Sequence, residues 1–188
     1  ISGPFLAVPV LKEAFPQGLE ELDAAKRKRL RQAYDEWREA QETDDPRLED
    51  LHTAWIDEVL SHGLELDEDG RGDVLKRKDW CANHLTVAPP EHGVSLSPDF
   101  AVVGNGDAPL MLVHAYAPDI DLDATRKLDG WASTPAERMV TLCRATGCRR
   151  GLVSNGERWM RVDAPVGAFT TFASWYARIW CQERVTLQ

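Results

Sequence analysis

One apolar run restricts the fold of this chain more than any other feature. The run Leu110-Met-Leu-Val-His-Ala-Tyr116 is strand-sized and almost entirely apolar. A strand that is apolar on both sides is typical of the middle of a sheet whose two faces are covered. The turn Gly104-Asn-Gly-Asp107 joins this run to another short apolar run, 99–103, and predicts a hairpin. The sequence therefore predicts a sheet that lies between other elements.

The order of the other segments predicts the fold class. A helix is predicted at Asp45-Pro46, where a capping carboxylate precedes a proline, and another at the capping box Thr134-Pro-Ala-Glu137. The dipeptide Asn155-Gly156 is a strong signal for a two-residue hairpin turn. The predicted elements from residue 45 are helix 45–62, surface loop 64–79, strands 83–88, 99–103 and 110–116, helix 134–146, hairpin strands 150–154 and 157–162, and helix 171–182. This order predicts an α/β fold with a mixed sheet flanked by helices.

The N-terminal part is expected to pack on that domain. Residues 1–15 are apolar and contain two prolines, which predicts an extended arm, and residues 18–42 have helical spacing. Within this helix the run Lys26-Arg-Lys-Arg29 is either a solvated face or a phosphate contact, and the solvated face is favoured. We therefore divide the chain into an arm and helix, 1–46, and an α/β domain, 47–188.

Charge and cysteine content narrow the function. The chain has 22 Lys and Arg against 31 Asp and Glu, a net charge of −9, which argues against a domain that grips nucleic acid by itself. It does not exclude a domain that works beside a basic neighbour. The four cysteines form no Cys-x-x-Cys pair, so buried free thiols of a cytoplasmic protein are expected rather than zinc. No run approaches the about 18–20 apolar residues of a membrane span. Since the chain begins at Ile1 without a targeting signal, we expect a fragment of a longer cytoplasmic protein.

The motif Ser97-Pro-Asp99-Phe100 at the start of one strand, with a second strand ten to fifteen residues later, resembles the PD-(D/E)xK nuclease superfamily. In that superfamily Mg²⁺ and the attacking water are held by three groups. They are an Asp after Pro, a Glu-x-Lys pair on the next strand and a Glu from the preceding core helix. The resemblance implies a restriction-endonuclease-like core over residues 47–188.

Two longer segments extend the resemblance. The stretch Ser133-Thr-Pro-Ala-Glu-Arg138 followed by Gly151-Leu-Val-Ser-Asn-Gly-Glu-Arg-Trp159 is similar to the amino-terminal region of large restriction and phage-defence adenine DNA methyltransferases of the type IIG, BREX and DISARM kinds. The opening Gly3-Pro-Phe-Leu-Ala-Val-Pro-Val-Leu11 also looks like the start of such proteins. The resemblance implies a downstream methyltransferase domain that binds S-adenosylmethionine, and other defence-system subunits as partners.

The sequence departs from the superfamily where the chemistry would lie. Asp99 occupies the position of the first Asp, but His114-Ala-Tyr116 stands where Glu-x-Lys is expected. A neutral His is a poor substitute for a carboxylate toward Mg²⁺, and Tyr has no ammonium group to position water. The helix residue Glu58 is a possible second acid. If a metal binds at all, Asp99 and His114 are its expected ligands, so the site is predicted to be degenerate.

Each of these residues also has a purely structural interpretation. Asp99 after proline is compatible with a cap at the start of a strand as well as with a vestigial site. His114 on a buried strand is favoured as a hydrogen-bonded core histidine, and Tyr116 is compatible with packing at the end of the sheet. The acids Asp119, Asp121 and Asp123 are expected in a solvated loop.

The first hypothesis is a catalytically degenerate nuclease-fold domain of a restriction-modification or phage-defence DNA methyltransferase, with a structural or DNA-contacting role. It needs no cofactor, and its own residues are not expected to catalyse a reaction. One alternative is an active DNA endonuclease that uses Mg²⁺ or Mn²⁺ with Asp99, His114 and Glu58. The other is a protein-docking module of a defence complex, which the negative charge suits better than free DNA binding.

Overall fold

The computed structural model describes residues 24–63 and 74–182, and the side chains of all of these except 62–63 and 180–182. The predicted arm 1–15 and most of the predicted loop 64–79 lie outside the described residues. The helices are α1 Ala24–Glu42, α2 Leu48–Glu58, α3 Lys78–His84, α4 Pro135–Thr146 and α5 Ala177–Gln182. The strands are β1 Val74–Lys76, β2 Phe100–Val103, β3 Pro109–Ala115, β4 Arg126–Leu128, β5 Trp131–Ser133, β6 Arg150–Ser154, β7 Arg158–Asp163 and β8 Thr171–Tyr176.

Six strands form one mixed sheet in the order β1-β2-β3-β6-β7-β8. The pair β3 and β6 is parallel, with Leu112 opposite Gly151, and the other neighbouring strands are antiparallel. The strands β4 and β5 form a separate two-stranded sheet. The predicted strands 99–103, 110–116 and 151–154 thus lie in one sheet, and the predicted α/β class with a mixed, helix-flanked sheet is confirmed. The arrangement is consistent with a restriction-endonuclease-like fold.

The two faces of the sheet carry separate apolar clusters, because side chains alternate along each strand. On the face that α1 and α2 cover, which we call the α1/α2 face, the sheet contributes Val102, Met111, Val113, Leu152, Trp159 and Trp175. On the opposite face, which α4 covers and which we call the α4 face, the sheet contributes Ala101, Val103, Leu112, Val153, Met160 and Val162. The central strand β3 is therefore buried on both sides, as its apolar run predicts.

Helix α4 begins as the sequence predicts. The Thr134 hydroxyl accepts from the Glu137 N–H at 3.2 Å, and the Glu137 carboxylate accepts from the Thr134 N–H at 2.7 Å. Pro135 occupies the first helical position, and Gly147 ends the helix with φ 75°. The capping box is confirmed.

Helix α2 begins later than predicted. Asp45 is not its N-cap: the Asp45 Oδ1 accepts from the Arg47 N–H at 2.8 Å, and the capping position is Arg47, which makes no side-chain cap. The Arg47 side chain pairs with the same carboxylate, so Asp45 stabilises the turn before the helix. After Glu58 the chain continues as a π-helical turn, Val59–Gly63, which extends the helical segment to the predicted end.

Three predictions at the borders of the sheet are wrong. Residues 83–88 are not a strand: α3 occupies their beginning, and only Val87 pairs, with Leu96. Residues 74–79 of the predicted loop 64–79 are not a loop, since β1 pairs with β2 and α3 begins at Lys78. The predicted helix 171–182 is a strand, β8, followed by the short helix α5.

Candidate functional site

Asp99 closes the end of the ladder between β2 and β3. Its N–H donates to the Val113 carbonyl at 2.8 Å, and its Oδ2 accepts from the Ala115 N–H at 2.8 Å. The carboxylate therefore takes the place of a main-chain carbonyl at the point where the two strands separate. Asp99 therefore has a structural role at the position where the superfamily has its first Asp.

His114 is a buried, neutral histidine. It lies two residues after Leu112 on β3, so its side chain points to the same face, the α4 face. It is 8% exposed. Its Nε2 donates to the Ser97 carbonyl at 3.1 Å, and its Nδ1 has no hydrogen-bond partner. Burial lowers the pKa of His114, although the nearby Asp99 carboxylate opposes this shift. With the proton on Nε2, the Nδ1 lone pair is an unused acceptor.

Tyr116 follows β3 on the same side as His114. The two rings are nearly perpendicular, at 86°, with 6.3 Å between their centroids. The Tyr116 N–H donates to the Ser154 carbonyl at 2.8 Å. Burial raises the pKa of Tyr116, while the positive charges of Arg138 and Arg126 act in the opposite direction. The phenol is thus a protonated, half-buried group that carries no charge at neutral pH.

Glu58 does not join these three residues. It lies on α2, which packs on the α1/α2 face, whereas His114 and Tyr116 belong to the α4 face. Its carboxylate pairs with Arg29 of α1, at 2.6 Å between Nε and Oε1 and 3.3 Å between Nη2 and Oε2. The structure therefore brings Asp99, His114 and Tyr116 together and leaves Glu58 across the sheet.

Arg138 is a residue of this site that the sequence reasoning missed. It lies on the first turns of α4 with 7% of its surface exposed, and its guanidinium stacks over the Trp131 ring at 4.9 Å. Its positive charge acts on both His114 and Tyr116. A signal was available, because Arg138 occupies a position of the buried helical stripe between Pro135 and Leu142.

The donor set does not fit a divalent metal. Among the described residues no three His, Cys, Asp or Glu side chains are grouped so that they could hold a metal ion. The nearest thiol, Cys81, is buried, and burial together with the Asp99 charge raises its pKa to about 11, so it is a protonated thiol at neutral pH. The loop acids Asp119 and Asp121 are exposed, and Asp123 pairs with Arg158 at 2.6 Å. Metal binding by Asp99 and His114 stays a prediction.

An aromatic cluster on the α1/α2 face connects to the site through His52 of α2. His52 Nδ1 accepts from the Trp37 indole N–H at 3.1 Å, and Nε2 donates to the Tyr116 carbonyl at 2.7 Å. Burial lowers the pKa of His52, and the bond from Trp37 needs its neutral form because a protonated Nδ1 cannot accept. The Gly156 carbonyl, in the β6–β7 turn, accepts from the indoles of Trp55 and Trp159 at 2.8 and 3.1 Å. The β6–β7 hairpin that the sequence predicts is confirmed, but its turn is shifted by one residue. The Asn155 N–H donates to the Arg158 carbonyl at 3.3 Å, so Gly156-Glu157 and not Asn155-Gly156 form the turn, and Gly156 is buried in this cluster.

The comparisons with known proteins add little to this geometry. No protein-family model and no curated protein matches the chain. Among solved structures, the cryo-EM structure of the DrdV–DNA complex is similar over 78% of this chain, at 14% sequence identity and a TM-score of 0.44. The chain spans 12% of the length of that matched chain. In the described residues no helix is long and apolar enough to cross a membrane.

Proposed function

We propose that this chain is a catalytically degenerate nuclease-fold domain with a structural or DNA-contacting role in a larger DNA methyltransferase of a restriction-modification or phage-defence system. The sequence motifs around Asp99, Arg138 and Asn155-Gly156 support the family, and the geometry supports the degenerate site. The same proposal includes a downstream methyltransferase domain that binds S-adenosylmethionine. It also includes other defence subunits as partners and a cytoplasmic location.

The observation that carries the proposal is the buried cation beside His114 and Tyr116. A nuclease of this superfamily needs converging carboxylates at these positions to hold Mg²⁺. Here the guanidinium of Arg138 acts on both positions, and the acid that the motif supplies, Asp99, has its Oδ2 bound to the Ala115 N–H. A like charge in a poorly solvated site opposes a divalent cation strongly. The remaining acid is therefore offset by a cation, and too little negative charge is left here to hold Mg²⁺.

A cleavage assay tests the proposal directly. Plasmid DNA incubated with the purified chain and Mg²⁺ or Mn²⁺ should stay supercoiled, and Asp99→Ala should change nothing. Nicking by the parent chain that Asp99→Ala abolishes would refute the degenerate site and support the endonuclease alternative. Nicking that survives Asp99→Ala identifies a contaminating nuclease, and purification is then repeated before the assay is scored.

Restoring the missing groups tests the alignment to the superfamily. In the double variant His114→Glu, Tyr116→Lys, the new carboxylate lies on the same side as Asp99, but Arg138 still competes with a cation for it. We therefore expect a gain of Mn²⁺ affinity, measured by calorimetry, that is larger when Arg138→Leu is added and is lost when Asp99→Ala is added. A folded triple variant with no gain in affinity would count against the alignment.

The DNA-contacting role is tested separately by salt dependence. Binding to a short duplex should weaken steadily as salt rises, because cationic side chains that contact phosphates release counterions. Binding that is absent at low salt would leave a purely structural role. That result would favour the docking interpretation.

An exposed apolar loop favours docking as the second candidate function. Between β7 and β8, Val166 is 84% exposed and Phe169 is 94% exposed, and Phe172 at the start of β8 is 53% exposed. Large apolar side chains grouped on one loop commonly mark a protein contact. If this loop docks on the downstream domain, Phe169→Ser should weaken association between the two domains expressed as separate chains, without changing DNA binding.

A further inference from the structure

Three buried polar side chains near the start of α4 each keep an atom without a hydrogen-bond partner. The atoms are Nδ1 of His114, Oγ of Ser133 and Nη1 of Arg138. The three residues are 8%, 2% and 7% exposed. Buried polar atoms are nearly always hydrogen-bonded, and an unpaired buried guanidinium is especially costly. Each of these atoms therefore lacks a partner among the described residues, and a bound ligand would supply one.

The three side chains lie around one region of the α4 face. Ser133 precedes the N-cap Thr134 and Arg138 is the fourth residue of the helix, and side chains at these two positions commonly pack against each other. The charge of Arg138 acts on His114, which links the helix to β3. Ser133 also pairs with Arg126 across the β4–β5 hairpin, and Arg126 acts on Tyr116. Helix, hairpin and central strand thus meet here.

No acid within the described residues neutralises Arg138 at hydrogen-bond distance. The nearest carboxylate, Oδ2 of Asp129, lies 3.7 Å from Nη2, and the Asp129 side chain is 73% exposed. This distance is too long for a charge-assisted hydrogen bond, and a solvated partner of this kind contributes little. The guanidinium therefore retains most of its capacity to bind an anion.

The types of the unused atoms specify the anion. Arg138 Nη1 offers N–H donors and Ser133 offers a hydroxyl, and both suit anionic oxygens. His114 Nδ1 is an acceptor, because Nε2 donates to the Ser97 carbonyl, so it suits an O–H donor on the ligand. A protonated phosphate has both kinds of oxygen. A sulfate ion, or a phosphodiester inside a DNA strand, has no O–H group at neutral pH.

We propose that Arg138, Ser133 and His114 form a binding site for a protonated phosphate group, either free hydrogen phosphate or a terminal phosphate monoester. Arg138 and Ser133 donate to its anionic oxygens, and its P–OH group donates to His114 Nδ1. This site rests on the proposed function in one respect, namely that no metal occupies the position beside His114.

Trp131 and the β4–β5 hairpin border the proposed site. Trp131 of β5 covers the guanidinium and stacks on His92 with 3.9 Å between ring centroids. The β4–β5 hairpin is a separate two-stranded sheet, and such a pair is only marginally stable by itself. Ser133 is the last residue of β5, so this hairpin supplies one of the three groups of the site.

The charges around the site limit its affinity but do not cancel it. Asp99 lies on the same side of the sheet and disfavours an anion, whereas Arg126 on the hairpin favours one. Asp99 and Arg126 act on Tyr116 in opposite directions, so their effects on an anion here oppose each other. Arg138 is then the cation that would hold the anion.

The experiment measures binding of inorganic phosphate to the purified chain, with sulfate as the matched anion at constant ionic strength. Thermal unfolding and the NMR resonances of the His114 ring are followed in the same titration. We expect a saturable rise of the unfolding temperature and a saturable His114 shift with phosphate, and neither with sulfate. Equal effects of the two anions, or no saturable effect of phosphate, would overturn the proposal.

Two variants and one control locate the site. Arg138→Leu removes the cation and should weaken phosphate binding by about tenfold or more, the effect expected for loss of a charge-assisted hydrogen bond. Ser133→Ala gives a second, milder test if the leucine variant does not fold. Arg144→Leu is the control, since this exposed arginine of α4 contacts Thr170 and makes the same change in net charge. Binding that is unchanged in both site variants, or weakened equally in the control, would refute the site.

A second titration distinguishes the source of the phosphate. A short DNA duplex with 5′-phosphate ends is compared with the same duplex with 5′-hydroxyl ends, each in competition with inorganic phosphate. Competition by the phosphorylated duplex alone identifies a DNA end as the ligand, and competition by neither identifies free phosphate. Both results support the site. Equal competition by the two duplexes means that internal phosphodiesters bind, which contradicts the role given to His114. These outcomes are distinguishable from failure of the proposed function, which shows as metal-dependent nicking.

Discussion

Gly156 offers the sharpest test of how the fold is stabilised, because its replacement by alanine combines two separate penalties. Gly156 has φ 93°, a conformation that side chains other than glycine rarely adopt. A Cβ at this position would lie 2.6 Å from Cζ2 of Trp37 and 3.0 Å from Cε1 of His52. Neither ring can easily retreat, since the Trp37 indole donates to His52 and His52 donates to the Tyr116 carbonyl.

The magnitude follows from these two contributions. The backbone penalty of a positive φ for an L-residue is about 1–2 kcal/mol. Overpacking of a filled core adds about 1–3 kcal/mol. We therefore expect Gly156→Ala to lower the free energy of unfolding by about 2–5 kcal/mol, a large part of the stability of a domain of this size.

The control is Gly130→Ala in the β4–β5 turn. Gly130 has φ 81°, and nothing lies within 4 Å of an added Cβ, so only the backbone penalty of about 1–2 kcal/mol applies. Urea unfolding followed by tryptophan fluorescence measures both variants, and the slope with urea should stay unchanged. Equal losses in the two variants would refute the reasoning, because they would show that Trp37 and His52 do not enclose Gly156.

Three further predictions concern the core and its titratable groups. Trp55 is 1% exposed and its indole donates to the Gly156 carbonyl, so Trp55→Ala should cost about 3–5 kcal/mol, and an unchanged urea midpoint would contradict this. Burial lowers the pKa of both His52 and His114 below the ordinary histidine value of 6.5, so the unfolded chain binds more protons than the folded chain. The free energy of unfolding should therefore be highest above pH 6.5 and fall as the pH drops below it. Urea midpoints across this range should show the fall, and the double variant His52→Gln, His114→Gln should lose most of it. Burial raises the pKa of Cys81 to about 11 and of Cys143 to about 12, so both thiols should react slowly with an alkylating reagent until the chain is unfolded, and rapid labelling of the native chain would show that they are not buried.

Much of the sheet could be predicted because its signals are local. The run ending at Tyr116 is apolar on both sides, and the capping box at Thr134 has its full set of donors and acceptors. Asn155-Gly156 marks the β6–β7 hairpin, although the turn itself is centred one residue later, on Gly156-Glu157. Each of these patterns depends on residues a few positions apart. Tertiary contacts then stabilise the same local conformation, so sequence and structure agree there.

The wrong predictions lie where tertiary pairing decides between two local solutions. Along β8 the apolar residues Phe172, Trp175 and Tyr176 have a spacing that also fits a helix. The six-residue pairing with β7 selects the strand, with Trp175 buried and Phe172 exposed. Likewise β1 has only three residues, and it forms a strand because β2 provides a partner for it. Neither pairing is visible from the segment alone.

The candidate site was only partly predictable for the same reason. The motif placed Asp99 beside the next strand correctly, since a hairpin fixes that neighbourhood. It did not reveal that α2, and Glu58 with it, lies across the sheet from His114. It also did not reveal Arg138, because the motif is confined to strand residues and the signal for Arg138 lies in the buried stripe of α4.

The parity of strand β3 makes the degenerate interpretation independent of how the motif is aligned. If positions 114 and 116 replace the Glu-x-Lys pair, they lie on the α4 face with Asp99, and Glu58 is excluded. If positions 113 and 115 are taken instead, they lie on the α1/α2 face with Glu58, but they are Val113 and Ala115, and Asp99 is then excluded. A shift by one residue exchanges the two faces, so no register gathers both acids. In one register a single acid stays beside a buried arginine, and in the other a single acid is paired with Arg29. Either way the paired carboxylates that would hold a divalent cation are missing.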